Sequence, residues 1–440
     1  MKLLIFLILV AVVGTCCLFF FSVKPDISLP NSVDAIGQAT PITLRVAAPH
    51  GVRHAAVYLE QNGARYTVWE QTQPSRRIRW DRHLPDLAAN FVAGAKTTPQ
   101  LKDGKAQLIV EATSNDFRGQ TSQVAREVTI VTRPPQLSVD PDQHYLYLGM
   151  ADMVTFSVTG YYTEAGVAVA SRTFRAWPMP GGKPGLFSIF AVPWDTPAGS
   201  DPVVYASAPA GNRTIGAMAI SFPKKEQPKY RSRDLQLDDK FLQKVTAELD
   251  PNGSGDLLSR FLKINGEMRR ANNQTLSALR LQTEPRFLWS QPFQQQPNSK
   301  VESNFADVRT YIYQGRKVDQ QVHLGYDLSV TQHVGVQASN DGKVVWAAPL
   351  GIYGNCIVLD HGYGLQTIYG HLSEIAVRKG DLVKRGQVMG KSGQTGLAGG
   401  DHIHFSMQLD GVQIDPKEWW DAHWIKDHIS KRVELPAPTP

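Results

Sequence analysis

Three short stretches toward the C-terminus hold side chains that could bind a metal and move protons: HLGYD with His323 and Asp327, IYGHLS with His371, and DHIHF with His402 and His404. In an extended strand alternate side chains share a face, with Cα atoms roughly 6.6 Å apart, so His402 and His404 would turn two imidazoles toward one site. Eight of the 12 histidines lie between His323 and His428. A water-activating zinc site needs three N, O or S protein ligands and one open position, and two imidazoles with one carboxylate make one version of it. The three stretches offer that set with two histidines over. Amide hydrolysis would use spare imidazoles to take a proton from water and to hold a developing oxyanion.

Each stretch alone says less. HxxxD on a helix is an ordinary surface pair, although Gly325 and the β-type neighbours argue against a helix here, and a lone HxH is often two residues on a polar strand face. His423, Asp427 and His428 are expected on a helix surface, and His333 and His361 to be structural or exposed. His50, His54, His83 and His144 have no paired spacing and are expected at the surface or as satisfied core residues. Asp250, Asn252 and Ser254 in DPNGSGD are spaced like the first ligands of a calcium loop, but Phe261 stands where the bidentate Glu belongs. That stretch reads instead as an interhelical loop with Ser254 near a helix N-cap. Cys356, in the apolar run GNCIVLDHG, reads as a buried thiol, and Cys16 and Cys17 lie in the apolar N-terminal segment, so no disulfide can form within the soluble part.

The elements around these residues are mainly β. ITLRVAA, HAAVYLE with the turn pair Asn62-Gly63, KAQLIVEAT and VTIVT alternate as strands, and after Pro134-Pro135 a second series runs from YLYLG to AMAISF. They predict two immunoglobulin-like β-sandwich domains, 25–134 and 135–222, acting as spacers. Phe222 to Asp234, FPKKEQPKYRSRD, reads as a basic linker, followed by helices over DDKFLQKVTAEL and SGDLLSRFLKINGEMRRANNQTLSALRL, so that 223–284 forms a linker and helical segment. The chemistry falls in 285–425, and 426–440 is expected as a tail. Gly380, Gly386, Gly390, Gly393 and Gly396 in VRKGDLVKRGQVMGKSGQTG suit tight turns between short strands. That segment also resembles a lipoyl or biotinyl carrier hairpin, but it lacks a modifiable lysine at a fixed turn flanked by Met.

Leu3 to Val23 is uncharged over 21 residues, long enough to span a bilayer, and no A-x-A-like cleavage site follows. Residues 1–24 are therefore expected as a single-pass transmembrane anchor with the rest of the chain outside the cytoplasm. The formal charge of +6, from 46 Lys and Arg against 40 Asp and Glu, is spread along 440 residues and gives little support to nucleic-acid binding.

From Phe287 to Pro416 the order HxxxD, LDHGYGLQTIYGHLS, VRKGDLVKRGQVMGKSGQTG, HIHF resembles the zinc endopeptidases of the lysostaphin and LytM type, which cleave peptide bonds in bacterial peptidoglycan. The resemblance implies an antiparallel β peptidase domain with an open groove. It implies His323, Asp327 and His404 as ligands of Zn2+, and His371 and His402 as the catalytic pair. The function it implies is a membrane-anchored zinc endopeptidase of the inner (cytoplasmic) membrane, its soluble part in the periplasm or extracytoplasmic space, hydrolysing peptide crosslinks of peptidoglycan. The alternative is a non-catalytic wall-binding or hydrolase-regulating protein using a peptidase-like groove. Asp401 and Ser406 depart from the Pro and Glu common in that family, which bears on groove shape more than on metal binding. The helical segment before the domain could fold over the groove, or simply support it.

Overall fold

The computed structural model describes residues 2–29, 33–75, 84–208, 212–223 and 227–437, so His83 and residues 224–226 of the basic stretch lie outside the described residues. The chain is mainly β after an apolar N-terminal helix, Lys2–Phe20. None of the window Leu3–Phe20 is buried, which fits a membrane anchor or a signal sequence. The fold divides into two compact units, one made of residues up to 136 with 159–164 and 206–214, the other of 137–158, 165–205 and 215 onward.

In the first unit, Asp26–Ser28, Thr40–Ala47 and Leu87–Ala93 form one sheet, and Ala35–Ile36, Thr121–Ile130, Gly104–Ser114, Val52–Gln61 and Ala64–Thr72 form another. Thr40–Ala47 alternates buried and exposed positions as the sequence does. Leu44, Val57, Leu59, Leu108 and Val110 meet in one core. Asn62 and Gly63 both take positive φ, 53° and 80°, as a two-residue hairpin turn matched to strand twist requires.

The second unit draws its boundaries differently from the sequence reading. Strands expected to make an independent sandwich over 135–222 share a core with the C-terminal domain: Phe174, Phe187 and Phe190 join Phe287, Trp289, Tyr363 and Phe405. Phe187 lies 5.9 Å from Phe287 and 4.9 Å from Tyr363 between ring centroids, and Arg175 Nε donates to Asp410 Oδ1 at 2.8 Å. Alternation shows that a strand has an apolar face but not what covers it.

The stretch read as a linker also enters the fold. Ser232–Leu237 is a strand pairing in parallel with Asp307–Tyr313, Arg233 opposite Arg309. Asp238 caps the helix Asp239–Leu249 by accepting from Phe241 N, and Asp256 rather than Ser254 caps Leu257–Lys263 by accepting from Ser259 N. Asp250 is engaged by Arg260 Nε at 3.3 Å. Leu242, Val245, Phe261, Ile264, Leu276 and Leu279 then pack on Tyr311, Ile352, Cys356 and Val358, so these helices complete a core of the C-terminal domain. Cys356 is fully buried, and burial pushes its thiol well above the ordinary range. Ile429 and Val433 are buried in the main core, so the expected tail is packed at least to Val433.

The site stands on an eight-stranded antiparallel sheet ordered Lys300–Ser303, Tyr326–Ser329, Ile403–Leu409, Leu365–Leu372, Asn355–Asp360, Gly342–Pro349, Leu382–Val383, with Val412–Ile414 pairing Ile403–Leu409. Arg316–His323 belongs to a second sheet with Asp307–Tyr313 and Ser232–Leu237 and delivers His323 at its last residue.

Candidate metal centre

Register brings the three stretches together. On the strand Ile403–Leu409, His404 is paired with Asp327 on one side and Gly370 on the other, which places His371 next to it. His323 arrives through the turn Leu324-Gly325. A Cβ at Gly325 would stand 2.7 Å from His404 Cε1 and 2.7 Å from the Phe405 carbonyl oxygen, so only glycine permits that approach.

His323 Nε2, Asp327 Oδ1 and His404 Nδ1 form a triangle: 3.0 Å between the two nitrogens, 3.0 Å from His323 to Asp327 and 3.3 Å from His404 to Asp327. Zinc bonds of about 2.0–2.2 Å set a tetrahedral edge of roughly 3.3–3.6 Å, a little longer than these separations. The protons agree. His323 Nδ1 donates to the Asn304 carbonyl at 3.0 Å, which leaves Nε2 as a lone pair facing a carboxylate oxygen. His404 Nε2 is buried and has no hydrogen-bond partner among the described residues, and a proton on it would leave Nδ1 with a second lone pair facing the triangle. In that tautomer three acceptors would point at one another and need a cation between them, so the residues fit a metal of the zinc kind.

The other two histidines stand beside the triangle. His371 donates from Nδ1 to the Thr395 carbonyl at 2.8 Å and has a positive φ of 64°, a strained conformation for a non-glycine residue of the kind found at functional sites. His402 donates from Nδ1 to the Gly400 carbonyl at 2.8 Å, and its Nε2 lies 3.5 Å from Asp327 Oδ1. The His371 and His402 ring centroids are 4.8 Å apart. Burial, with His402 and His404 nearby, holds His371 well below the ordinary imidazole range. Burial would lower His402 too, but its hydrogen bond to Asp327 carries it above its ordinary value. For Asp327 burial acts upward, and His323, His402 and His404 together bring it well below the usual carboxylate range.

All five residues singled out in the sequence converge here. A groove of about 470 Å³ reaches Asp327, His371 and His402 and is lined as well by Leu235, Leu237 and Phe241 of the segment read as linker and helices and by Leu397 to Asp401, while His323 and His404 line a smaller cavity of about 50 Å³ that also touches His371. Sequence reasoning missed Asn304, which orients His323, and Thr395, which orients His371. Both act through backbone carbonyls, which leave no mark in residue type. It also missed Arg309, whose guanidinium bonds Asp327 from a strand of the second sheet. No motif or spacing marks it.

The remaining histidines have other partners. His361 is fully buried between the Asp341 carbonyl and Thr367 Oγ1, and His333 lies 3.8 Å from Asp401. His428, expected on a helix surface, bonds the buried Asp152 at 2.9 Å, and Asp152 also holds His144 at 2.7 Å.

Residues 321–416 match Peptidase family M23. The chain is similar to the DD-carboxypeptidase/endopeptidase Mpg of Neisseria meningitidis, 34% identical over 96 residues that cover 22% of each protein. It is also similar to the peptidoglycan DD-endopeptidase ShyA of Vibrio cholerae, 38% identical over 116 residues, 26% of each. The matched stretch thus spans about a quarter of the length of these relatives. Among solved structures, the catalytic domain of lysostaphin from Staphylococcus simulans aligns at 30% identity and a TM-score of 0.24, covering 28% of this chain and 92% of that one.

Proposed function

Residues 321–416 carry a peptidase family M23 match, and from that premise we propose that the chain is a membrane-anchored zinc endopeptidase acting in the periplasm on peptide crosslinks of bacterial peptidoglycan. The observation that carries the reading is the triangle of His323, Asp327 and His404 with His371 and His402 beside it, Asp327, His371 and His402 lining a groove of about 470 Å³. His323 through Nε2, Asp327 through Oδ1 and His404 through Nδ1 are the proposed ligands. A zinc ion held there supplies Lewis-acid activation of water near neutral pH and polarisation of a carbonyl.

The protein's own groups do the rest. His371, kept neutral by burial and with Nδ1 committed to Thr395, offers the Nε2 lone pair as an acceptor for a proton from the attacking water. His402, committed through Nδ1 to Gly400 and with Nε2 3.5 Å from Asp327 Oδ1, would donate a hydrogen bond from Nε2 to the oxygen that gains charge. Either imidazole can return the proton to the leaving amine. The names of the two curated relatives, a DD-carboxypeptidase/endopeptidase and a peptidoglycan DD-endopeptidase, support peptidoglycan as the substrate.

The test is direct. The full chain in detergent, zinc-loaded, is incubated with purified peptidoglycan, and the released peptides are identified by mass spectrometry. New amino and carboxyl ends at crosslinks, absent after chelation and restored by zinc, are expected. Stoichiometric zinc with intact crosslinks would leave a wall-binding or regulatory protein as the better reading.

A further inference from the structure

The two oxygens of Asp327 are divided between different partners. Among the described residues Oδ1 faces only imidazoles: His323 Nε2 at 3.0 Å, His404 Nδ1 at 3.3 Å and His402 Nε2 at 3.5 Å. Oδ2 accepts from Arg309 Nη2. Arg309 sits in the middle of Asp307–Tyr313, the central strand of its sheet, opposite Arg233 on one side and Gln321 on the other. Its backbone is therefore fixed from both edges, and its side chain is only 20% exposed.

We infer that Arg309 is a positioning residue for the metal site: by occupying Oδ2, it restricts Asp327 to a single oxygen toward the cation. This rests on the reading of His323, Asp327 and His404 as a ligand set. A carboxylate free at both oxygens can take two positions on a metal, whereas a water-activating site works with three protein donors and an open position. A charge-assisted hydrogen bond from a planar guanidinium on a rigid strand settles the choice before any metal arrives. Lysine at this place would keep the charge but lose the planar fork and would hold the oxygen less firmly.

Cobalt(II) reports the coordination number without reference to turnover, because four-coordinate cobalt absorbs visible light several-fold more strongly than five-coordinate cobalt. The full chain is stripped with chelator, loaded with cobalt and titrated, as wild type, Arg309→Met and Arg309→Lys. Wild type is expected to take up one cobalt with intense bands. Arg309→Met is expected to lose several-fold in molar absorbance at full occupancy as Oδ2 joins the metal, and Arg309→Lys to fall between. A spectrum of Arg309→Met superimposable on wild type, at equal occupancy, overturns the inference while leaving the metal site standing. Failure of wild type to bind cobalt stoichiometrically removes the ligand set itself, and the inference with it. If Arg309→Met misfolds, Arg309→Lys decides on the same readout, a wild-type spectrum counting against the inference and a reduced one for it.

Discussion

His371 Nδ1 lies 2.8 Å from the Thr395 carbonyl oxygen, and that loop is in turn gripped by a helix 150 residues earlier in the chain. Lys244 donates to the carbonyls of Gln394, Gly396 and Ala398, and Glu248 accepts from Gly396 N. The helix Asp239–Leu249 thus acts on the proposed base through the backbone it clamps. Lys244→Met should lower turnover on peptidoglycan about tenfold, as a small displacement of a catalytic group does, with zinc content unchanged. Equal turnover in the variant would show that the clamp is dispensable.

The same packing bears on truncation. Removing residues 24–284 takes away a strand of the sheet that holds His323 and the helices that cover Cys356, Val358 and Ile368. Loss of cooperative folding is expected rather than the gain in activity that a simple lid would give. A thermal unfolding trace with a sharp transition and raised turnover would instead favour gating.

Metal binding and turnover should separate by residue. Asp327→Ala should lower both zinc content and activity, because it removes a proposed ligand. His371→Ala should retain zinc and lose roughly 10²–10⁴-fold in turnover, the range for a lost general base. Equal zinc loss in the two variants would overturn that division of roles.

Gly325→Ala tests the approach of the turn to His404. The added methyl meets His404 Cε1 and the Phe405 carbonyl, and strain of about 1–3 kcal/mol is expected, read by denaturant unfolding of the metal-free chain. Zinc affinity should fall with it, since the displaced side chain is a proposed ligand. Wild-type stability and affinity together would mean that the turn yields freely.

Asp152 gives a pH signature away from the site. Burial pushes its carboxyl up, but His144 and His428 reverse that and bring it down to about 2 from an ordinary 3.8. A depressed carboxylate contributes stability that is fully present above the unfolded value and is lost as pH falls through the folded one. The window is therefore from about pH 5 down to about pH 2, and the contribution is of order 2 kcal/mol. Asp152→Asn should be less stable at pH 6 and should lose less on acidification than wild type in denaturant titrations. Parallel pH dependence in the two proteins would assign the acid sensitivity elsewhere.

The sequence by itself singled out the five histidine and aspartate positions that meet in the fold, and it determined the β character of the chain and the apolar helix. Each is written in residue type and short-range spacing: HxH alternation puts two imidazoles on one strand, and an uninterrupted apolar run leaves no doubt about its solvent preference. The tertiary structure decided what meets what. Asp327 faces His404 because the strands Tyr326–Ser329 and Ile403–Leu409 pair in that register, and Arg309 reaches Asp327 only because another sheet turns its strand toward the first. The covering of Phe187 by Phe287 and Tyr363, and the entry of Ser232–Leu237 as a strand, were not legible for the same reason. An apolar face or a polar linker is a local property, whereas its partner is chosen by burial and hydrogen bonding summed over segments far apart in the chain.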